Sequence, residues 1–269
     1  MEKKDVTIDL NKLFQQGIMM EKSIPSEKVI GLIQFINNNY EPVELIRIGG
    51  SGDGGYLFPD IFRDIDYCFS PGVSKIASFE DHLAREYNIK SFLADASVDE
   101  PPLKNSKFHF TKKFLGSQVY DQHITLSNWI KRVGMEDKSD LFLQMDIEGS
   151  ELDVLIKEDL ATLSKFAGMV IEFHWMHKIF EKFTFKMFKA IFSKLFEEFC
   201  IVHIHPNNCC GIATYNNVSI PRVAEFSFLR RDFLKKVKRL SDLSLPNKLD
   251  RSNVVHNEDI ILPSIWWKK

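Results

Sequence analysis

Carboxylates and imidazoles recur at one kind of place in this chain, directly behind short apolar runs. The run that begins at Leu141 ends in Asp146-Ile147-Glu148-Gly149-Ser150-Glu151. The next run, from Met169, ends in Glu172, Phe173 and His174. A third carries His203 and His205 and continues into Pro206-Asn207-Asn208. Oxygen-rich sites with one imidazole suit Mg2+ or Mn2+ better than zinc, and Asp146, Glu172 and His174 form such a set if their strands are parallel neighbours. Asp146 and Glu148 have a plainer reading as caps of the following helix. His203 and His205 are spaced by two, so on a strand they share a face, where metal ligation competes with a hydrogen-bonded structural role.

Two further positions suggest a ligand. Gly72, in Ser70-Pro71-Gly72-Val73, allows close approach to backbone, and Asp95 ends another apolar run. A strand-end acid can bind both hydroxyls of a ribose, or simply cap a helix. The Ser70–Val73 loop has neither G-x-G-x-x-G nor G-x-x-x-x-G-K-[ST], so an adenosine-type ligand without pyrophosphate fits better there than a dinucleotide. Five glycines fall between Gly49 and Gly55, around Asp53, Gly54 and Gly55. They suit a backbone that hugs a ligand, or a β-turn ahead of the sheet.

These residues need a frame. From Leu45, strand-length apolar runs alternate with helix-length amphipathic ones, the pattern of βαβ units and a parallel sheet. Strands are predicted at 66–70, 90–94, 108–111, 141–146, 169–173, 200–205 and 224–229, and helices at 79–87, 126–133, 151–160 and 183–199. Between the last two strands, Pro206 to Arg222 reads as loop, which predicts an antiparallel hairpin closing one edge of the sheet. In an open parallel sheet ligands bind beyond the carboxyl ends of the strands, where the acids and imidazoles collect. Residues 1–44 read as an N-terminal helical segment, with Ser26 as an N-cap, suited to a lid, a homo-oligomer arm or simple packing. Residues 45–232 form the α/β domain. Residues 233–269 form a tail with a basic stretch at Lys235–Arg239 and a terminal Trp266-Trp267.

Composition narrows the function classes. The 269 residues carry 35 Lys and Arg against 37 Asp and Glu, a formal net charge of −2, so no broad basic field points to nucleic acid. The 23 phenylalanines point to a well-filled aromatic core. Cys68, Cys200, Cys209 and Cys210 lack the spacing of a zinc knuckle or redox pair and read as reduced thiols. The charged start MEKKDVTIDL has no apolar h-region, and no run is long enough to span a bilayer. A cytoplasmic protein without a membrane-spanning segment is expected.

The element from Leu143 to Glu151, continuing to Leu155, closely resembles the D-x-E-G-x-E signature of FkbM-type S-adenosylmethionine-dependent methyltransferases. Arg47-Ile48-Gly49 with Asp53-Gly54-Gly55-Tyr56, then Phe69-Ser70-Pro71-Gly72 and Ser78-Phe79-Glu80, resemble the branch with an R-x-G…D-G-G-Y element. Thr125-Leu126 stands where the family has T-L-D, with Ser127 in place of the acid, and His203 to Asn208 and Pro221…Glu225 also match that branch. The resemblance runs from about Leu45 to Arg231. It implies a Rossmann-like class I methyltransferase sheet, mostly parallel, with an antiparallel C-terminal hairpin strand. It also implies S-adenosylmethionine beside Asp53, Gly54, Gly55, Gly72, Glu80, Asp95 and Asp146, the ribose near Asp95. Methyl transfer to a hydroxyl of a small or nucleotide-linked sugar is then expected, with His174, Asp146 and Glu148 as catalytic residues and Mg2+ or Mn2+ at Asp146, Glu172 and His174. A non-catalytic binding module that keeps the fold is the alternative.

Overall fold

The computed structural model describes residues 9–268. The first eight residues of the charged N-terminal stretch lie outside them. In chain order the helices are α1 (Leu10–Gln15), α2 (Ser26–Asn38), α3 (Ser78–Tyr87), α4 (Leu126–Arg132), α5 (Glu151–Lys157), α6 (Leu160–Leu163) and α7 (Lys182–Glu198). The strands are β1 (Ile46–Gly49), β2 (Gly55–Phe58), β3 (Tyr67–Pro71), β4 (Lys90–Ala94), β5 (Phe108–Thr111), β6 (Phe114–Leu115), β7 (His123–Ile124), β8 (Leu141–Met145), β9 (Phe166–Phe173), β10 (Phe199–Pro206), β11 (Ile212–Tyr215), β12 (Val218–Pro221) and β13 (Ala224–Arg230).

Seven strands form one sheet in the order β10-β13-β9-β8-β3-β4-β5. The pairs β3–β4, β4–β5, β3–β8 and β8–β9 are parallel, whereas β13 is antiparallel to both β9 and β10. This is the mostly parallel, Rossmann-like class I methyltransferase sheet with its antiparallel C-terminal strand. The expected hairpin differs in one respect: β13 inserts between β9 and β10, so β10 takes the edge. The order reverses between β3 and β8, and that switch point opens a crevice for ligands.

Burial explains the strands. β8 and β9 are buried at every position, as a strand covered by helices on both faces must be. One predicted helix is split, because Glu158 turns extended and Asp159 caps a new helix by accepting the Thr162 N–H at 2.6 Å. Pro25, not Ser26, is the N-cap residue of α2. The Pro206–Arg222 connection, predicted as loop, carries the small hairpin β11–β12. The basic stretch after Arg230 begins as a 3-10 turn.

Helix α2 meets the C-terminal tail. Val29, Leu32, Ile33 and Ile36 on one face of α2 are buried in the same apolar cluster as Trp266 and the sheet residues Phe226 and Phe228. Asn37 Nδ2 donates to the carbonyls of Ile265 and Lys268 at 3.3 and 3.0 Å. Trp266, fully buried, meets the Phe226 ring edge-on and points its indole N–H at the Ser219 carbonyl, 3.4 Å away. Trp266→Ala should therefore destabilise the whole fold by about 3–5 kcal/mol, measured by urea unfolding. A loss below 1 kcal/mol would mean the tail is peripheral to the core.

Candidate active site

A cavity of about 460 Å³ lies over the switch point, at the carboxyl ends of β3, β4 and β8. That volume suits a small molecule or cofactor. Its wall includes Asp53, Gly54, Gly72, Glu80, Asp95, Asp146 and Glu148. Gly55 stands behind this wall, at the start of β2, where a Cβ would meet the Gly50 carbonyl oxygen at 2.1 Å. The glycine-rich segment is thus the turn of the β1–β2 hairpin, held by Arg47 donating to the carbonyls of Gly50 and Gly52, each at 2.8 Å.

Gly72 has φ +86°, and a Cβ there would lie 1.5 Å from the Asp146 carbonyl oxygen. Close approach of the β8 end demands glycine as firmly as any ligand would. Asp95, nearly fully buried, accepts from the Ser74 N–H at 2.8 Å and from the N–H and hydroxyl of Ser97, each at 2.7 Å. It braces the loop behind Gly72. Ser127, at the position of the family's acid, bonds Glu158 instead of the cavity, through its N–H at 3.2 Å and its hydroxyl at 3.3 Å.

The cluster centres on His174, just past the end of β9. Its Nδ1 lies 3.1 Å from Glu151 Oε1, which also accepts the N–H groups of Ile147 and Gly149 at 3.0 and 3.2 Å. An oxygen receiving those bonds leaves Nδ1 as donor, so the Nε2 lone pair points the other way. Nε2 faces Glu148 Oε2 at 3.4 Å, Glu172 Oε1 at 3.7 Å and Asp146 Oδ1 at 3.9 Å. Burial lowers the His174 pKa, but the Glu151 hydrogen bond and the surrounding carboxylates outweigh it, and the net shift is upward. Burial pushes Asp146 up to about 7 and raises Glu172 well above the carboxylate range. Asp146 Oδ1 and Glu172 Oε2 are buried without a hydrogen-bond partner. Asp146, Glu148 and His174 offer ligand atoms within 4.8 Å of one another; Glu172 stands next to them, its Oε1 accepting from Asn207 Nδ2 at 3.0 Å.

Sequence reasoning missed three contributors. Glu225 on β13 pairs across the ladder with Glu172 on one side and His205 on the other. Asn253, in the tail, donates to Glu225 Oε1 at 2.8 Å and Asp53 Oδ1 at 3.3 Å. Asp250 meets His203 Nε2 at 2.8 Å. Glu225 alone had a sequence signal, in the Pro221…Glu225 resemblance and in its alternation with the buried Ala224, Phe226 and Phe228, but no site role was expected of it.

The remaining polar feature is a buried chain. The Ser70 hydroxyl contacts Glu80 Oε1 and, at 2.7 Å, Gln144 Oε1, while Gln144 Nε2 donates to the Tyr56 hydroxyl at 3.1 Å. One hydroxyl proton cannot serve both acceptors, so Glu80 supplies the second. Burial raises the Glu80 pKa from 4.5 to about 7, in agreement. Between those values the folded protein holds a proton that the unfolded chain has released, so this group's contribution to stability falls as pH rises. Glu80→Gln keeps a donor to Ser70 and removes the titration. Its stability relative to wild type should rise by roughly 2–3 kcal/mol between pH 5 and pH 8, measured by urea unfolding at both. A pH-independent difference would place the proton elsewhere.

Comparison with known proteins agrees with this arrangement. Residues 72–199 match the family model described as "Methyltransferase FkbM domain". No curated protein matches the chain. Among solved structures, fibrillarin in a fibrillarin/Nop5p complex is similar with 13% identity and a TM-score of 0.37, over 62% of this chain and 73% of that one. Plantazolicin methyltransferase BpumL, solved with SAH, has 7% identity and a TM-score of 0.31, over 76% and 84%. A precorrin-6y C5,15-methyltransferase from Geobacter metallireducens GS-15 has 8% identity and a TM-score of 0.29, over 79% and 93%. At such scores it is the strand order, not the overlay, that identifies the fold. The matched segment, residues 72–199, runs from the Gly72 turn through Asp146 and His174 to the start of β10 and is similar to a methyltransferase FkbM domain.

Proposed function

We propose that the protein transfers the methyl group of S-adenosylmethionine to a hydroxyl oxygen of a sugar or related precursor, small or nucleotide-linked, of a surface glycan or natural product. The observation that carries this reading is the bare Nε2 of His174 among three carboxylates beside the 460 Å³ cavity. In this reading the cavity holds the cofactor. Gly72 leaves its backbone open to it, Asp95 has lone pairs left for the ribose hydroxyls, and Asp53, Gly54 and Glu80 complete the wall with Asp146. Gly55 supports the turn from behind.

Methyl transfer from a sulfonium is an in-line displacement, so the protein must position the acceptor oxygen and remove its proton. A sugar hydroxyl is far too weak an acid to ionise alone, and carboxylates around it oppose the developing charge. Two buried carboxylate oxygens without partners, next to an imidazole nitrogen oriented by Glu151, make a donor set that fits a hard divalent cation. Asp146, Glu172 and His174 would hold it, and its charge would make the acceptor hydroxyl more acidic. Glu148, whose side chain is 88% exposed, then stands at the rim as proton acceptor. Without the cation, His174 Nε2 takes the proton itself.

Three experiments separate these roles. Asp95→Ala should weaken S-adenosylmethionine binding by about 1.5–3 kcal/mol in calorimetry, and unchanged affinity would reject the ribose assignment. With a panel of nucleotide sugars as acceptors, chelator should abolish S-adenosylhomocysteine formation while cofactor binding persists, and Mg2+ or Mn2+ should restore it. Glu172→Gln should mimic the chelator and lower Mn2+ affinity read by electron paramagnetic resonance. Full turnover in exhaustively chelated protein would leave His174 as a simple general base.

A further inference from the structure

A second constellation lies at the opposite edge of the sheet, on β10 and the C-terminal tail. His203 and His205 share one face of β10 with nearly parallel rings, and Asp250 reaches back from the tail to both. His203 Nε2 is 2.8 Å from Asp250 Oδ1, and His205 Nδ1 is 3.6 Å from the same oxygen. The three groups offer ligand atoms all within 4.8 Å of one another. His203 is 2% exposed and the Asp250 side chain 9%.

The surrounding bonds fix which atoms face inward. Asn253 Nδ2 points at Glu225 and Asp53, so its Oδ1 accepts from His205 Nε2 at 3.2 Å. His205 Nδ1 is the nitrogen turned to the Asp250 carboxylate, and it is buried without a hydrogen-bond partner. At 3.6 Å that pair is too long for a hydrogen bond. It is close to the edge of a tetrahedron of ligands around zinc, about 3.4 Å. Asp250 Oδ2 is held by the Asn247 N–H at 2.7 Å, leaving Oδ1 for the ion. Oriented outer bonds on a ligating imidazole and carboxylate are what metal sites require.

We propose that His203 Nε2, His205 Nδ1 and Asp250 Oδ1 bind a divalent transition metal, with zinc the best match to two imidazoles and one carboxylate. The ion opens the 2.8 Å contact and replaces it with two ligand bonds. A cavity of about 160 Å³, lined by His205, Asp250, Asn247 and Asp259, gives the fourth ligand, a water, its place. The metal fastens the tail to β10 and holds Asn253 on Glu225 and Asp53, beside the cofactor cavity. It is independent of the cation at His174 and of the choice of acceptor.

Full-length protein stripped with chelator and equilibrated with Zn2+ should retain roughly one zinc per chain by elemental mass spectrometry, and Co2+ in its place should give tetrahedral visible absorption. Asp250→Asn and His205→Ala should each lower zinc affinity by more than roughly 100-fold and abolish the rise in melting temperature that zinc gives wild type. His174→Ala, and a double Cys209→Ser, Cys210→Ser variant, should keep the zinc. Absence of uptake by the wild-type chain overturns the proposal, even if the variants fail to fold. So does loss of zinc in the thiol variant with retention in Asp250→Asn.

Discussion

The contact on which the site depends is the one between Glu151 and His174. Glu151, wholly buried at the first turn of α5, gathers two backbone N–H groups of the Asp146–Gly149 turn and the His174 Nδ1 on one oxygen. Three donors thus converge on one carboxylate oxygen at the start of α5. The bond fixes the imidazole's orientation and shapes the turn that bears Glu148. Glu148, Gly149 and Trp175 all have positive φ, and a Cβ on Gly149 would meet Trp175 Nε1 at 2.4 Å. Strained residues on both sides of one hydrogen bond mean that the surrounding packing imposes this geometry.

That arrangement creates a problem of charge. Glu172 and Glu225 are buried and Asp146 is half-buried beside them, and loss of solvent raises the pKa of each. Carboxylates this close cannot all ionise in a medium of low dielectric constant. They hold protons, or a cation compensates them, and the two states differ in what they offer an acceptor hydroxyl. Protonated acids would donate hydrogen bonds to its oxygen; ionised acids around a cation would draw off its proton. The imidazole cannot settle the balance by itself, because its one available nitrogen faces three carboxylates.

Much of the frame was readable because apolar runs with polar ends can only be buried strands. Lys90–Ala94 and Phe108–Thr111 have the predicted bounds, and Asp146, Glu172 and His174 come together because β8 and β9 are parallel neighbours. The position of β13 was not readable, since period-two alternation does not say on which side of β10 a returning strand pairs. The need for Gly72 was read as ligand contact, yet the Asp146 carbonyl already excludes a side chain there. Asp250 and Asn253 left no trace at all. Each lies more than forty residues from its histidine partner, in a tail without periodic structure, and only tertiary packing brings it there.

The insertion of β13 then does more than close the sheet. Its register sets Glu225 opposite Glu172 on β9 and opposite His205 on β10, so a basic and two acidic side chains lie in a row across three strands. A slip of one residue would turn Glu225 to the other face and bring Phe226 or Ala224 into its place. Phe226 and Phe228, buried against Phe173 and Phe192, oppose such a slip with apolar packing. The polar row is thus held in register by the aromatic core beneath it. Asn253 joins that row at Glu225 and reaches Asp53 on the far side, so the glycine-rich turn and the strand-end acids answer to the same strand pairing.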